Sequence, residues 1–285
     1  MPDYYFRRLH EEAKLKGVEL SAVAVDDLAL VIDHHCDILH LNGSVVSLPD
    51  FIFLYTPPPV LANFILTDFF KFKKVIVSND MDAAILCKNK WRSILRLAEN
   101  NLPIPKSLLI NTCLRIDSPA LQQFSFPLLL KSLDGFRGQS VAKVDSPIQL
   151  VDFLGILHNA SPNKELLLQE YIAPSHGRDV RVFVIGGKAR AAMHRQNHNG
   201  LFKSNLAQGG EATPYSLEQA LCNITESAAK CHGLDLAGVD VLFDDNGYKI
   251  CEVNAFPGIA GIEKATDMNL AGQLISYLMN KVEQA

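Results

Sequence analysis

The stretch that most constrains the fold is residues 236–258, LAGVDVLFDDNGYKICEVNAFPG. Two apolar runs flank a polar turn that ends in Asn-Gly, and this arrangement predicts a β-hairpin. Three side chains within the runs carry oxygen atoms that can bind a metal ion: Asp240, Glu252 and Asn254. Glu252 and Asn254 are two residues apart, so on a strand their side chains project from one face.

The face on which Asp240 lies depends on the length of the turn. A two-residue loop pairs Asp240 with Val253 and places its carboxylate on the wrong face. A three-residue loop, 245–247, with Gly247 in the left-handed conformation, pairs Asp240 with Glu252 instead. We adopt this register because it also places the apolar side chains together on the opposite, buried face. That apolar set is Val239, Val241, Phe243, Cys251 and Val253.

Two carboxylates and an amide oxygen on one face repel and desolvate one another unless a cation lies between them. Oxygen ligands suit Mg²⁺ or Mn²⁺. Three protein ligands are too few to enclose such an ion, which suits a metal that also binds phosphate oxygens. The alternative is an exposed hairpin with ordinary polar residues. The hairpin alone does not decide between the two interpretations.

Size and composition exclude several classes of protein. The chain has 285 residues, 48% hydrophobic and 20% charged, as expected for a globular protein with a substantial core and two domains. A net charge of -4 gives no support for a nucleic-acid surface, and no apolar run approaches membrane-spanning length. Six cysteines without a CxxC pair favour a reducing cytoplasm. We expect a cytoplasmic protein that binds neither nucleic acid nor membranes; a homo-oligomer is compatible with the sequence.

The amino-terminal part alternates helical and strand patterns, which predicts a small α/β domain with a parallel sheet. The predicted elements are a helix at 4–16, a strand at 18–25, a hairpin at 38–46, a strand at 51–55, a helix at 60–72 and a strand at 75–77. Such domains usually begin with a strand and this chain begins with a helix. We therefore expect the first strand to be missing and the domain to be truncated.

A helix predicted over 82–100 crosses the expected domain boundary near residue 88. Beyond it, strands and helices alternate again, and the segment 196–214 is predicted to be a polar loop. The predicted strands are 127–131, 141–144, 166–172 and an antiparallel pair within 179–196; the predicted helices are 147–158, 216–232 and 270–283.

Lys131 ends an apolar strand and faces a glycine-containing loop, 133–140. Its aliphatic stem would be buried, and its ammonium group would need an anion. Backbone N–H groups of such a loop can cover phosphates, although the GxxxxGK[ST] pattern of a P-loop is absent from the sequence. The alternative is a surface lysine beside a turn.

Several other polar residues suit a nucleotide. Glu170 lies in a segment that resembles the edge on which adenine and ribose bind, and Asp179 can serve the same end. Arg195, at the end of a strand, can neutralise charge on a transferred phosphoryl group. His194 and His198 have the spacing of a helical zinc site, but they straddle a strand end and a loop, which disfavours zinc.

Together these motifs resemble the ATP-grasp ligases, and within them the RimK-like group, which joins glutamate or a related amino acid to a carboxyl group. The resemblance covers about residues 80–285. The blocks that carry it, in order, are KSLDGFRGQSV, LLLQEYI, RDVRVFVIGGKARAAMHR, FKSN, AGVDVL, EVNAFPGIAGIEKAT and NLAG.

The resemblance implies an α/β (α+β) protein with the ATP-grasp fold, in which two lobes clasp ATP. The ATP-grasp domain is expected at 88–285, with a small lobe at about 103–168 and a large lobe at about 169–285. Residues 1–87 are expected to form the truncated domain that precedes it.

The resemblance also implies a role for each matching residue. Lys90 and Lys131 would contact the ATP phosphates, Glu170 and Tyr171 the adenine edge, and Asp179 the ribose. Lys203, Ser204 and Asn205 would lie on the nucleotide or acceptor side. Arg195 would stabilise the transferring phosphate, and Lys131 and Asn205 are also expected to be catalytic. Asp240, Glu252 and Asn254 would be the ligands of Mg²⁺ or Mn²⁺.

The implied activity is ATP- and Mg²⁺-dependent formation of an amide bond through an acyl phosphate. The partners would be ATP, an amino-acid donor such as glutamate and a carboxylate acceptor in a peptide, a protein tail or a metabolite. A kinase acting on a small-molecule hydroxyl and a non-catalytic nucleotide-binding module are the alternatives. Three positions depart from the family pattern: Lys203 replaces arginine, Phe256 replaces a small residue, and Ser140 replaces a loop glycine.

Overall fold

A computed structural model describes residues 4–32, 37–54, 61–134, 140–204 and 210–285. Their strands form a parallel pair and a three-stranded sheet in the amino-terminal part, followed by a four-stranded and a five-stranded antiparallel sheet. Helices pack on these sheets, so the mixed α/β fold class is confirmed. No helix among the described residues has both the length and the apolar character needed to cross a lipid bilayer.

The amino-terminal part contains two small sheets. Its elements are α1 (Tyr4–Leu15), β1 (Leu28–Ile32), β2 (Asp37–Leu41), β3 (Ser44–Val46), β4 (Phe51–Phe53), α2 (Leu61–Phe72) and β5 (Ile76–Ser78). Strands β4 and β5 pair in parallel, as predicted, whereas β1, β2 and β3 form a separate antiparallel sheet. The strand predicted at 18–25 was wrong: Val18 and Leu20 instead pack against the apolar cluster beside α1.

The helix predicted over 82–100 is two helices, α3 (Met81–Lys88) and α4 (Lys90–Glu99). The break lies at Asn89, whose side-chain oxygen accepts a hydrogen bond from the backbone N–H of Arg92 at 3.0 Å. Asparagine competes in this way for backbone donors and therefore favours the first position of a helix over its interior.

The four-stranded sheet has the order β6-β9-β7-β8. Its strands are β6 (Ser107–Asn111), β7 (Leu128–Ser132), β8 (Val141–Val144) and β9 (Glu165–Glu170), and helix α5 (Pro147–Ala160) packs on one face. The core between helix and sheet is formed by aliphatic side chains such as Leu128, Leu150 and Leu168. Strand β6 was not predicted from the sequence.

The five-stranded sheet has the order β12-β11-β10-β13-β14. Its strands are β10 (Arg178–Ile185), β11 (Lys188–Gln196), β12 (Glu211–Tyr215), β13 (Leu236–Asp244) and β14 (Gly247–Asn254); the helices nearby are α6 (Gln219–Cys231), α7 (Ala260–Thr266) and α8 (Leu270–Glu283). Strand β12 lies in the segment predicted to be a loop, and α7 was not predicted.

Both faces of this sheet are covered along much of their length. Val180, Val182 and Val184 lie in the core formed with α3, α4 and α6. Phe183 and Ile185 alternate to the opposite face and pack against α1, α7 and α8. The polar cleft described below lies on this second face, where the helical cover ends.

The hairpin of β13 and β14 has the predicted pairing, since Asp240 lies opposite Glu252. The predicted three-residue turn was wrong, because Asp244 pairs with Gly247 and leaves a two-residue turn. One extra residue in β14 forms a β-bulge between Asp240 and Val241, and this shift restores the register that the shorter turn would have lost.

The extra residue is Cys251, which lies between Ile250 and Glu252 in β14. The prediction that Cys251 belongs to the buried apolar face was wrong. Ile250 takes that position in the core with Val239 and Val241, because the bulge turns the Cys251 side chain toward the cleft.

We expect Leu168→Ala to lower the free energy of unfolding by roughly 2–5 kcal/mol, because it leaves a cavity in the core under α5. Ile148→Ala, in the same lobe at a side chain that is 76% exposed, should change it by less than about 0.5 kcal/mol. Urea denaturation followed by circular dichroism measures both, and equal effects would contradict this description of the core.

Candidate functional site

A cleft lies between the four-stranded and five-stranded sheets. Its walls carry polar side chains from β7, β10, β13 and β14, from the start of α4, and from the segments that follow β9 and β11. The predicted site residues that line it are Lys90, Lys131, Tyr171, Asp179, Lys203, Ser204, Asp240 and Glu252. Of the other predicted site residues, Asn205 lies outside the described residues, and Glu170, Arg195 and Asn254 lie beside the cleft.

Asp240 and Glu252 form the acidic part of the cleft wall. They lie opposite each other on β13 and β14, and Asp240 is only 5% exposed. Asn254 pairs with Gly238 further along the same ladder, and its Nδ2 donates to the Gly238 carbonyl oxygen at 3.3 Å. That bond uses the nitrogen end of the amide, whereas a metal ion would need the oxygen end.

Two arginines from neighbouring strands bind Asp240. Arg181 donates from Nε to Oδ1 at 2.6 Å and from Nη2 to Oδ2 at 2.7 Å, and Nη2 of Arg195 lies 3.0 Å from Oδ2. Burial disfavours the charged carboxylate, but the charges of Arg181 and Arg195 outweigh it and hold the pKa of Asp240 below its ordinary value. Asp240 is therefore a buried carboxylate that remains ionised.

Arg195 also forms a bidentate pair with Asp179. Its Nε and Nη2 donate to the two carboxylate oxygens at 2.7 and 2.5 Å, and only 3% of the arginine side chain is exposed. Burial lowers the pKa of Arg195, but the carboxylates of Asp240 and Asp179 more than reverse this and raise it. Arg195 thus lies beneath the cleft surface and pairs with both Asp179, which was predicted to bind the ribose, and Asp240, which was predicted to bind the metal.

Lys131 faces this acidic wall from the opposite sheet. Its Nζ donates to Oε1 of Gln169 at 2.6 Å, and Nε2 of Gln169 donates to the hydroxyl of Ser107 at 2.9 Å. This chain of hydrogen bonds fixes a buried cation at the cleft. Gln169 precedes Glu170 in the LLLQEYI segment, and the sequence analysis gave it no role of its own.

Glu170 turns its carboxylate away from the cleft. It accepts hydrogen bonds from the backbone N–H of Lys106 at 2.8 Å and from Nζ of Lys249 at 2.6 Å. Because Lys249 lies on β14, this contact connects the two sheets beside the segment that joins them. Both contacts use the same carboxylate oxygen, Oε1, and hold the Glu170 side chain beside the cleft.

The cleft also has an apolar part that the sequence analysis did not anticipate. Leu129 and Ile172 lie on one side of it, and Leu242 and Cys251 on the other. Flat aromatic groups suit such a slot, since apolar walls on two sides exclude water from both ring faces. Burial raises the pKa of the Cys251 thiol, so the thiol stays protonated near neutral pH.

Asp240, Glu252 and Asn254 offer two carboxylates and one amide oxygen, which are the ligand types that Mg²⁺ prefers. Within the described ranges, no group of three or more His, Cys, Asp or Glu side chains could hold a metal ion. A cation here would therefore need further ligands from outside the protein, such as phosphate oxygens. The donor set fits Mg²⁺ bound together with a phosphorylated molecule.

The three departures from the family pattern have different surroundings. Lys203 and Ser140 line the cleft, and burial lowers the pKa of Lys203. Phe256 is partly buried and packs against the core on the face of α3, α4 and α6. Among the described residues, Phe256 does not line the cleft.

Comparison with known proteins gives a consistent result. The profile of the RimK-like ATP-grasp domain matches residues 87–278. A probable alpha-L-glutamate ligase of Haemophilus ducreyi is 37% identical over 212 residues, which are 74% of this chain and 68% of that protein. Another, from Shewanella halifaxensis, is 31% identical over 99% of this chain and 62% of its own length. The ATP-grasp ligase PsnB, solved with a minimal precursor, has a TM-score of 0.75 at 18% identity, covering 98% of this chain and 96% of PsnB.

We expect Cys251 to react with iodoacetamide more slowly than the exposed Cys113 at pH 8, because its raised pKa leaves little thiolate. The rate at Cys251 should still be rising above about pH 9, beyond the ordinary thiol pKa of about 8.5. Peptide mapping by mass spectrometry measures both rates. Equal labelling of the two thiols at pH 8 would contradict the raised pKa of the partly buried Cys251.

Proposed function

The chain belongs to the RimK-like ATP-grasp family, a family of C–N bond-forming ligases, and on this premise we propose that it joins the carboxylate of an acceptor to the amine of an amino acid while ATP is converted to ADP and phosphate. The observation that carries the proposal is the pair Asp240 and Glu252 on one cleft wall, with Lys131 held on the other. Glutamate is the amino acid we propose first, because the similar proteins are named probable alpha-L-glutamate ligases.

For the acceptor we propose a peptide or protein rather than a small metabolite. PsnB was solved with a minimal precursor, and its likeness extends over nearly the whole of this chain. We further propose that residues 1–87 contribute to the acceptor side, and that residues 88–285 form the domain that binds ATP. The match of the family profile from residue 87 onward supports this division.

Different residues of the cleft would bind the metal ion, the phosphates and the adenine of Mg-ATP. Asp240, Glu252 and Asn254 would hold Mg²⁺, or Mn²⁺ in its place, and the ion would neutralise negative charge on the phosphates. Lys90, Lys131 and Lys203 would bind phosphate oxygens from the other side. The apolar slot would receive adenine.

The reaction proceeds in two steps. The acceptor carboxylate attacks the γ-phosphorus of ATP and ADP leaves; the amine then attacks the acyl carbon, and phosphate leaves as the amide forms. The protein's contribution is orientation and neutralisation of charge. Arg181 and Arg195, which pair with Asp240, would hold that carboxylate in position and in its ionised form from beneath the cleft.

The proposal is tested by measuring ADP release over a panel of amino acids and candidate acceptor peptides, with mass spectrometry of the products. We expect ADP release to require both an amine and a carboxylate, and the product to gain one amino acid with loss of water. A stable phosphorylated product with no need for an amine would identify a kinase. Nucleotide binding without ADP release across the panel would identify a binding module.

We expect Glu252→Gln to reduce ADP release on the order of 100-fold or more, because it removes a charged ligand of the cation. Asp245→Asn is the matched control: it removes a carboxylate from the exposed turn of the same hairpin and should leave the rate within about twofold. Steady-state assays at several Mg²⁺ concentrations measure both variants. Similar losses in the two would rule out a specific role for Glu252.

A further inference from the structure

Asn79 lies between β5 and α3 in the amino-terminal part and is 1% exposed. Its side-chain nitrogen donates hydrogen bonds to the carbonyl oxygens of Leu236 at 2.7 Å and Ala255 at 2.6 Å. Its side-chain oxygen accepts a hydrogen bond from the backbone N–H of Leu236 at 2.9 Å. One buried amide therefore binds both ends of the hairpin that carries the acidic wall.

These bonds lie where the ladder between β13 and β14 stops. Gly238 and Asn254 are the last paired residues, and β13 extends two residues further to Leu236. In a continued ladder, residue 256 would lie opposite Leu236. Instead, the side-chain amide of Asn79 forms hydrogen bonds with both the N–H and the carbonyl oxygen of Leu236. The pairing of β14 with β13 therefore ends at Asn254.

The segment that follows Asn254 also packs against β13 through Pro257. A Cβ atom added to Gly238 would lie 2.7 Å from Cβ of Pro257, so this proline packs directly on the backbone of β13. Asn79 holds the carbonyl of Ala255 at the same turn. The backbone on the carboxyl side of Asn254 therefore has little freedom to move.

We propose that Asn79 is a positioning residue that fixes the orientation of Asn254, and through it the cation site, from the amino-terminal part of the chain. The inference rests on the proposed function, in which Asn254 is a ligand of the cation. A metal ion tolerates errors of only about 0.2 Å in ligand position, and residues that orient ligands strongly affect metal affinity. Asn79 does not itself line the cleft, and its described hydrogen bonds are to the backbone of Leu236 and Ala255.

The test is a comparison of nucleotide binding with and without a metal. In Asn79→Ala, the three hydrogen bonds to the hairpin ends are lost, and Asn254 loses its fixed orientation. We expect affinity for Mn²⁺ in the presence of ADP, measured by electron paramagnetic resonance, to fall about tenfold or more. Affinity for ADP in EDTA, measured by calorimetry, should stay within about twofold, because the apolar slot and the lysines are untouched.

The control is Asp80→Ala at the adjacent residue. Asp80 caps α3 by accepting a hydrogen bond from the backbone N–H of Asp82 at 2.8 Å, and it also contacts Lys71. Its loss should lower the melting temperature without changing either affinity, since Asp80 makes no described hydrogen bond to the hairpin. A drop in Mn²⁺ affinity in Asp80→Ala equal to that in Asn79→Ala would overturn the proposal.

A second variant keeps the proposal testable where Asn79→Ala does not fold. Asn79→Asp keeps the acceptor for the backbone N–H of Leu236 but loses the donor to the carbonyl oxygens of Leu236 and Ala255, so we expect the same selective loss of Mn²⁺ affinity. Unchanged Mn²⁺ affinity in the folded variants would refute the role of Asn79.

If ADP did not enhance Mn²⁺ binding in the unsubstituted protein, the proposed function itself would fail, which is a distinguishable result.

Discussion

One extra residue in β14 determines which side chains face the cleft. The two-residue turn of the hairpin would place Asp240 and Glu252 on opposite faces, and the bulge at Cys251 brings them back to one face. The same shift places Ile250 in the core and turns Cys251 into the cleft. Because a bulge changes the register of every pair beyond it, the acidic wall, the apolar slot and the position of Asn254 all depend on this local irregularity.

Balanced charge is the second condition that the cleft meets. Asp179 and Asp240 are buried carboxylates, and Arg181 and Arg195 on the neighbouring strands supply the compensating charge. Unpaired, such carboxylates would be neutralised by protonation rather than remain ionised. With the arginines in place Asp240 remains ionised, which the proposed binding of a divalent cation requires.

The sequence was sufficient to predict the fold class and the hairpin, because these follow from alternation and from ordered motifs. The sequence led to the correct pairing of Asp240 with Glu252 from a three-residue turn that the structure does not have, whereas a two-residue turn and a bulge produce that pairing. It was insufficient for the bulge, since Ile250 and Cys251 are both apolar and either could face the core. Strands β6 and β12 lack a clear alternating pattern and become recognisable only beside their partners. The contacts of Arg181 with Asp240 and of Asn79 with Leu236 join residues 59 and 157 positions apart, which no local pattern reveals. The role of each predicted site residue in catalysis remains a prediction.

The central claim is that three oxygen-bearing side chains of one hairpin bind a divalent cation together with the phosphates of a nucleotide. The most direct measurement is a crystal structure with Mn²⁺ and a non-hydrolysable ATP analogue, in which anomalous scattering locates the metal. We expect the metal about 2.1 Å from oxygen atoms of Asp240, Glu252 and Asn254, with phosphate oxygens completing an octahedron. A bound nucleotide whose metal lies away from these three residues would contradict the claim.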